Sequence, residues 1–291
     1  MLTTADILKR VRKIEIKTKG LSNHIFAGEY HSAFKGRGMS FSEVREYSPG
    51  DDVKNIDWNV TARFRSPFVK VFEEERELTV MLLADASGSA LFGTKGRSKL
   101  ELITELCAVL AFSANTNNDK VGLLLFGESV DLFIPPKKGR SHVLRIIREL
   151  IARSENGQPQ GTTNIAAALD YLNNVQKKRS IAFLLSDMVS LPFTKSLQLA
   201  ARRHDLVGID VYDPHDAALP EIGLVQVRDA ETGQLLWIDS GNKKTRQAYA
   251  AAFLQHQQAT LQTFRKSGAR LLSLRTDQDY VNKLQTFFKG R

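Results

Sequence analysis

Five oxygen-bearing side chains stand directly after apolar runs or in a loop before a helical pattern: Asp85, Ser87, Ser89, Thr163 and Asp187. The first three form "DASGS" after "TVMLLA", the fourth lies in "GTTN", and the fifth ends "FLLSD". Carboxylates and hydroxyls suit hard cations such as Mg2+, which takes about six oxygens and keeps some of its waters. The sequence therefore predicts a site for Mg2+, or for Mn2+ or Ca2+, with one coordination position left open. No His cluster or Cys pair accompanies these residues, which argues against zinc.

The elements that must position these side chains alternate between strands and helices from about residue 78 onward. The strand patterns are "ELTVMLLAD", "KVGLLLFG", "VDLFIPP", "SIAFLLSD", "DLVGIDVYD" and "ARLLSLRT", and we expect Pro135 and Pro136 to end the third. Among the helical patterns, one has Ser98 as its N-cap and another has Pro192 in its first turn. This alternation predicts a mainly parallel sheet with helices on both faces. Because parallel strands end at one edge, the side chains that follow them can converge there.

Two regions depart from the alternation. Residues 224–239 predict an inserted β-hairpin with turn residues at 231–233, followed by a long helix from Lys243 to Lys266. Residues 1–77 mix glycine, charge and aromatic residues without a clear period, apart from a short helix expected near Ile7 to Ile14. We therefore predict a small N-terminal segment, residues 1–77, and an α/β domain, residues 78–291.

The segments "DASGS", "GTTN" and "LLSD" together resemble the metal-ion-dependent adhesion site of von Willebrand factor A domains. The resemblance implies a Rossmann-like von Willebrand factor A fold. It also implies that the two serines and the threonine contact the metal directly or through water, that the two aspartates act largely through water, and that a partner's carboxylate completes the site. Ala90 stands where many such domains have Met. Taken alone, "DASGS" is equally typical of a polar turn whose hydroxyls satisfy backbone N–H groups.

The block of residues 34–89 resembles the signature of the bacterial domain-of-unknown-function 58 (DUF58) family. Its core is "GDDVKNIDW", followed by an Ala-Arg pair and a Glu-rich strand that leads into the α/β domain. Members of this family are often encoded beside MoxR-type AAA+ ATPases. The resemblance therefore implies an adaptor or co-chaperone that works with such an ATPase, for example in metal-cofactor insertion or envelope maturation.

This block also carries a cluster of charged residues around a tryptophan: Arg45, Asp51, Asp52, Asp57, Arg63 and Trp58. We expect ion pairs that lock the segment onto the domain, with the tryptophan packed beneath them. Such pairs fix geometry more reliably than they add stability. The alternative is an acid cluster that binds a ligand or takes part in catalysis.

Composition limits where the chain works and what it binds. At 291 residues, 42% apolar and 25% charged, it has the composition of an ordinary globular protein. No apolar run approaches the roughly 18–20 residues of a membrane helix, the N-terminus lacks a secretory pattern, and Cys107 fits a core position. These features predict a cytoplasmic protein without a membrane span.

The net charge of +9 favours acidic partners. It is diffuse, with 14 basic and 12 acidic residues in 1–77 against 27 and 20 in 78–291. The charge does not favour nucleic acid as a partner, because the basic stretches lack interleaved aromatic residues that could stack on bases.

Three functions from different classes fit these observations. The first is a non-enzymatic protein-interaction module that binds Mg2+ and an acidic residue of a partner. The second is a metal-dependent phosphohydrolase with Asp85 as nucleophile; such enzymes place an acid two residues later, where this chain has Ser87. The third is weak nucleic-acid binding through the basic patches, which predicts a steep salt dependence. We favour the first.

Overall fold

The computed structural model describes residues 39–74, 78–94, 96–156, 162–228 and 234–289. These residues form two units, of which the smaller ends at Leu78 and the larger begins at Thr79. The short helix expected near Ile7 to Ile14 lies outside the described residues. The division into domains at residues 77 and 78 therefore stays a prediction.

The smaller unit is a two-stranded antiparallel sheet with a short helical connection. Its elements are β1 (Met39–Glu46), a 3-10 turn (Val53–Asn55), helix α1 (Trp58–Phe64) and β2 (Phe68–Glu74). Aspartates start both helical pieces, because their side chains accept hydrogen bonds from the otherwise unpaired N–H groups of the first turn. Asp52 accepts from Lys54 N, and Asp57 accepts from the N–H groups of Asn59 and Val60.

The larger unit is built on a six-stranded sheet. In chain order its strands and those of a separate hairpin are β3 (Thr79–Asp85), β4 (Lys120–Phe126), β5 (Val130–Lys137), β6 (Ile181–Ser186), β7 (Asp205–Tyr212), β8 (Leu224–Arg228), β9 (Leu235–Asp239) and β10 (Arg270–Arg275). The order across the sheet is β10-β7-β6-β3-β4-β5, with β5 antiparallel and the other neighbours parallel. Numbered within the sheet, this is the doubly wound order 3-2-1-4-5-6.

Helices cover both faces of this sheet. They are α2 (Lys99–Thr116), α3 (Arg140–Asn156), α4 (Ile165–Val175), α5 (Thr194–Arg203), α6 (Pro214–Ala217), α7 (Lys243–Lys266) and α8 (Val281–Lys289). On one face, α4, α5 and α7 bury Leu169, Leu197 and Phe264 against the sheet. On the other, α2 packs on α3 and β3, and α8 contacts β6 through Phe288 and Phe183. The predicted Rossmann-like architecture, a mainly parallel sheet with helices on both faces, is confirmed.

The predicted hairpin and long helix are also present, while two local predictions were wrong. Strands β8 and β9 pair antiparallel and α7 spans Lys243–Lys266; the expected turn at 231–233 lies outside the described residues. Strand β5 continues through Pro135 and Pro136, because an edge strand does not need every N–H for pairing. Helix α5 begins at Thr194 after an N-cap at Phe193, so Pro192 precedes the helix and is not in its first turn.

Among the helices of the described residues, none is both long enough and apolar enough to cross a bilayer.

A buried histidine at the end of α5 makes the stability of the fold depend on pH. His204 is 1% exposed, and its Nδ1 lies 3.0 Å from Ser180 Oγ. Burial, followed by the charges of Arg203 and Arg179, lowers its pKa from 6.5 to about 4. At this histidine the unfolded chain therefore binds an extra proton between these values, and the contribution of His204 to stability falls as the pH falls from about 6.5 to 4.

We expect this loss to reach about 2–3 kcal/mol, measured by urea unfolding at pH 7 and pH 4.5 as the difference between the unmodified chain and His204→Asn. His204→Asn should remove that part of the pH dependence, whereas His256→Asn, at an exposed site on α7, should keep it. An unchanged pH dependence in His204→Asn would contradict the assignment.

Candidate functional site

The candidate site lies at the carboxyl edge of the sheet, where the strand order reverses. Asp85 ends β3, Asp187 directly follows β6, and β3 and β6 are parallel neighbours. Thr163 precedes Asn164, which caps α4 by accepting a hydrogen bond from Ala167 N. Crevices at such reversal points are where open α/β sheets bind ligands.

Asp85 is buried and held by hydrogen bonds from neighbouring serines. It is 1% exposed, and its Oδ1 accepts from Ser87 N at 2.9 Å while its Oδ2 accepts from Ser186 Oγ at 2.6 Å. Burial, followed by the negative charge of Asp187, raises the pKa of Asp85 from 3.8 to about 6. The Ser87 side chain also hydrogen-bonds to Asp85. Since a carboxylate has about four lone-pair sites, little more than one remains for water or a cation. A nearby positive charge would stabilise its ionised form.

The two serines of "DASGS" face each other. Ser87 Oγ and Ser89 Oγ are 3.1 Å apart, and Ser87 is 2% exposed. The chain turns here through a 3-10 helix at Gly88–Leu91, and Ala86 N donates to Phe126 O at 2.8 Å. The turn therefore presents two hydroxyl oxygens directly beyond the Asp85 carboxylate.

Backbone hydrogen bonds tie the Thr163 loop to both of the other segments. Asn164 N donates to Gly127 O at 2.8 Å, and Gly127 lies against Ser87, whose Cα would be 3.8 Å from an added Cβ. On the other side, Ser190 Oγ donates to Thr163 O at 2.9 Å. The structure thus brings the segments that carry all five predicted residues to one edge of the sheet.

The turn after β6 fixes Asp187. Ser186 Oγ accepts from Met188 N at 3.1 Å while it donates to Asp85, so one hydroxyl joins the ends of β3 and β6. Met188 has a φ of 58°, a left-handed conformation that is uncommon outside glycine. Val189 N donates to Asp187 Oδ1 at 3.2 Å.

A lysine that the sequence analysis missed occupies the other Asp187 oxygen. Lys99 Nζ lies 2.8 Å from Asp187 Oδ2 and 3.2 Å from Asp216 Oδ2, and the residue is 4% exposed. Burial alone would lower the pKa of Lys99, but the two carboxylates raise it above its ordinary value. At neutral pH this ammonium is a permanent charge beside the candidate site. Its only local signal was its place next to the N-cap Ser98, where a solvated lysine is equally common.

A second missed residue anchors the loop between the two serines and α2. Asp213 is fully buried, and it accepts from Thr94 Oγ1 at 2.6 Å, Thr94 N at 3.0 Å and Thr276 Oγ1 at 3.0 Å. Burial opposes ionisation, but these bonds and one from His215 N hold the pKa of Asp213 below its usual value. The long loop "ALFGTKGRS" is thereby tied to the ends of β7 and β10.

The donor set fits a hard cation that relies on hydroxyls and water. Within the described ranges, no three His, Cys, Asp or Glu side chains are grouped so as to hold a metal. Two carboxylates and three hydroxyls are a plausible set for Mg2+ with several retained waters, and a poor one for zinc. Lys99 reduces the negative charge that such a cation would meet.

The comparisons with known proteins decide the family. The family described as "Protein of unknown function DUF58" matches residues 43–259. An uncharacterized protein of Mycobacterium bovis is 31% identical over 283 residues, which cover 97% of this chain and 88% of that protein. The chain belongs to the DUF58 family. A shorter match joins it to the uncharacterized protein YeaD of Bacillus subtilis, 29% identical over 40% of this chain and 28% of that protein.

Solved structures with a similar fold include two distant ones. BatB from Bacteroides thetaiotaomicron is 20% identical, with a TM-score of 0.46 over 73% of this chain and 96% of that one. The VWA domain of SpRpn10 is 13% identical, with a TM-score of 0.38 over 72% of this chain and 93% of that one. At these scores the likeness carries no argument about the function of the DUF58 chain.

In this DUF58 chain, large apolar side chains stand exposed near the candidate site. Phe92, Val189 and Leu191, which we call the apolar rim, are 42%, 49% and 53% exposed. Lys99 Nζ lies 5.8 Å from the centre of the Phe92 ring, and Val189 N donates a hydrogen bond to Asp187 Oδ1. Exposed apolar residues beside a polar centre are typical of interaction surfaces.

In the charged block that resembled the DUF58 signature, only some of the predicted ion pairs are present. Arg45 makes a two-pronged ion pair with Asp51 at 2.7 and 2.8 Å, which holds the pKa of Asp51 below its usual value. Asp57 pairs instead with Lys70 at 3.3 Å, a partner that the sequence did not indicate. Asp52, as the N-cap of the 3-10 turn, serves the backbone.

Two expectations for this block were wrong. Trp58 is 68% exposed and does not pack beneath the ion pairs, because it occupies the first position of a short helix that buries none of its residues. Among the described residues, Arg63 forms no ion pair with the predicted aspartates, since it lies on the exposed last turn of the same helix. The role of this block in locking the segment onto the domain stays a prediction.

Proposed function

We propose that the chain is a non-enzymatic protein-interaction module that binds a divalent cation and, through it, an acidic residue of a partner. The proposed ligands are Asp85, Ser87, Ser89, Thr163 and Asp187, with Mg2+ as the favoured ion and Mn2+ or Ca2+ as substitutes. A carboxylate of the partner completes the coordination.

One observation carries this proposal. Three segments that are far apart in the chain meet at the reversal point of the sheet, joined by Ser186 Oγ, by Asn164 N and by Ser190 Oγ. Each segment supplies oxygen atoms, and the donor set lacks the nitrogen and sulfur ligands of other metals. The apolar rim adds surface that a partner protein can cover around the ion.

Catalysis by Asp85 is less well supported. A nucleophile needs access to substrate, whereas Asp85 is 1% exposed and both its oxygens accept hydrogen bonds. The position two residues later is Ser87, which is a poor proton donor at neutral pH. A binding role makes no such demand, since the metal and the hydroxyls lie between the carboxylate and the partner.

The proposed partner is a MoxR-type AAA+ ATPase in the cytoplasm, with this chain as its adaptor or co-chaperone. The net charge of +9 suits an acidic partner surface. We expect the tagged chain to recover the ATPase in Mg2+ but not in EDTA. Equal recovery in both conditions would contradict capture through the metal.

We predict that Mg2+ raises the thermal stability of the chain saturably. A ligand at a hundredfold excess over its dissociation constant adds about 2.7 kcal/mol, which corresponds to a rise in Tm of about 5–10 °C for a domain of this size. Differential scanning fluorimetry in Mg2+, Mn2+ and EDTA measures it.

The rise should vanish in Asp85→Ala and in the isosteric Asp85→Asn. It should persist in Asp170→Ala, which removes an exposed carboxylate of α4 away from the site. An equal rise in Tm in all variants, or no rise in the unmodified chain, would contradict the proposed cation site.

A further inference from the structure

A cavity of about 330 Å3 lies beside the candidate cation site, between the ends of β6 and β7 and helix α7. The side chains that matter for its chemistry are Lys99, Asp187, Asp210, Asp216, Tyr249 and Phe253. Its volume is within the range of roughly 300–1,000 Å3 found for small-molecule sites. The cavity is therefore large enough for a guest of several heavy atoms.

The cavity has an excess of carboxylates. Lys99 is shared between Asp187 and Asp216, so its single charge is already opposed by two. The third carboxylate, Asp210, is 6% exposed and is held by neutral groups: Ser273 Oγ donates to it at 2.8 Å, and the Gln257 side chain also hydrogen-bonds to it. Within the described part of the chain, Asp210 forms no ion pair within 4.0 Å.

Aromatic rings also line this cavity. Tyr212 and Phe253 both line the cavity and pack together with ring centres 5.2 Å apart. Tyr249 is oriented by a hydrogen bond from its hydroxyl to His215 O at 3.2 Å. The faces of such rings attract organic cations, and a carboxylate without a cation binds ammonium or guanidinium groups through charge-assisted hydrogen bonds.

We propose that this cavity binds an organic monocation, namely a primary ammonium or guanidinium group on a short apolar stem. Its head group would contact Asp210, and its stem would lie along Tyr212 and Phe253. The guest is either a free amine or the side chain of a lysine or arginine in a partner protein. An anion is disfavoured, since the one ammonium of the cavity is engaged by two carboxylates.

The protonation of Asp210 agrees with this assignment. Burial raises its pKa from 3.8 to about 7, so in the free protein it is only partly ionised at neutral pH. A bound cation would favour the ionised form. The inference does not rest on the cation site and is testable in EDTA.

The test is a titration of the full chain with n-butylguanidinium and n-butylammonium, in which binding is measured by isothermal calorimetry and NMR. The neutral control is n-pentanol and the anionic control is butyrate. We expect saturable binding of the two cations and at least tenfold weaker binding of both controls. Asp210→Asn should weaken cation binding at least tenfold. Ala252→Trp fills the cavity from the exposed side of α7 and should abolish binding, while Ala251→Trp, exposed on the same helix but outside the lining, should not.

Equal affinity for n-pentanol and n-butylammonium, or undiminished binding in Ala252→Trp, would overturn the proposal even if Asp210→Asn did not fold. Blocked amino acids distinguish the two sources of the guest, a free amine and a side chain of a partner protein. Binding of N-acetyl-lysine and N-acetyl-arginine methylamides as tight as that of the free amines would support a partner side chain. Exclusion of the blocked forms alone would support a free amine.

Discussion

Replacement of Lys99 by methionine is expected to lower the free energy of unfolding by about 3–5 kcal/mol, the cost of removing one partner from a buried ion pair. The substitution leaves Asp187 and Asp216 facing each other without the ammonium that now lies 2.8 and 3.2 Å from them. Methionine has a similar length and keeps the packing of the stem. Urea unfolding at pH 7.5 in EDTA measures the loss.

The matched control is Lys195→Met, which removes an exposed lysine of α5 and should change stability by less than about 0.5 kcal/mol. If the proposed cation site is correct, Mg2+ should restore more stability to Lys99→Met than it adds to the unmodified chain, because it replaces the lost positive charge. A loss below about 1 kcal/mol for Lys99→Met would show that the buried bridge contributes little to the net stability.

Asp213→Ala is expected to lower the free energy of unfolding by about 3–4 kcal/mol, the value of about two charge-assisted hydrogen bonds. Asp213 is fully buried and accepts from both the N–H and the hydroxyl of Thr94, from Thr276 Oγ1 and from His215 N. Alanine leaves these donors without an acceptor in a region that water reaches poorly. The loop before α2 should loosen as a result.

Amide hydrogen exchange at Thr94 reports this loosening directly. We expect protection of that amide to fall in Asp213→Ala and to be partly kept in Asp213→Asn, which retains one acceptor oxygen. Unchanged protection in Asp213→Ala would mean that the loop is held by other contacts, such as the bonds from the Arg97 guanidinium to Thr276 O.

The large elements of the fold could be predicted because strands buried on both faces leave a continuous apolar run. Strand β6, for example, is buried at every position. Local chemistry was equally clear at α2, where the structure has the predicted cap at Ser98 and the Glu101 side chain in turn accepts a hydrogen bond from Ser98 N. The prediction that Pro135 and Pro136 end their strand was wrong, because a strand at the edge of a sheet tolerates proline. Whether a strand lies at the edge depends on the order of the whole sheet, which local sequence does not give.

The residues of the site could be predicted only where a short stretch of sequence identifies them. Aspartates and hydroxyls at strand ends are visible in one chain segment each. Lys99, by contrast, acts through carboxylates 88 and 117 positions away, and no local pattern distinguishes it from a solvated lysine. The prediction for Trp58 was wrong for the same reason. Whether a tryptophan is buried depends on the side chains that the folded unit places around it.

Strand β10 pairs with β7 only after the intervening connection of residues 213–269, which includes the hairpin and α7. Such a non-local pairing must overcome the loop-closure entropy before its contacts stabilise it. β10 is also a sheet edge, and most of its residues are only partly buried. We therefore expect β10 to join last during folding and to open first in the native state. Because Ser273 of β10 donates to Asp210, the kinetics of this edge strand would set how long the neighbouring cavity stays assembled.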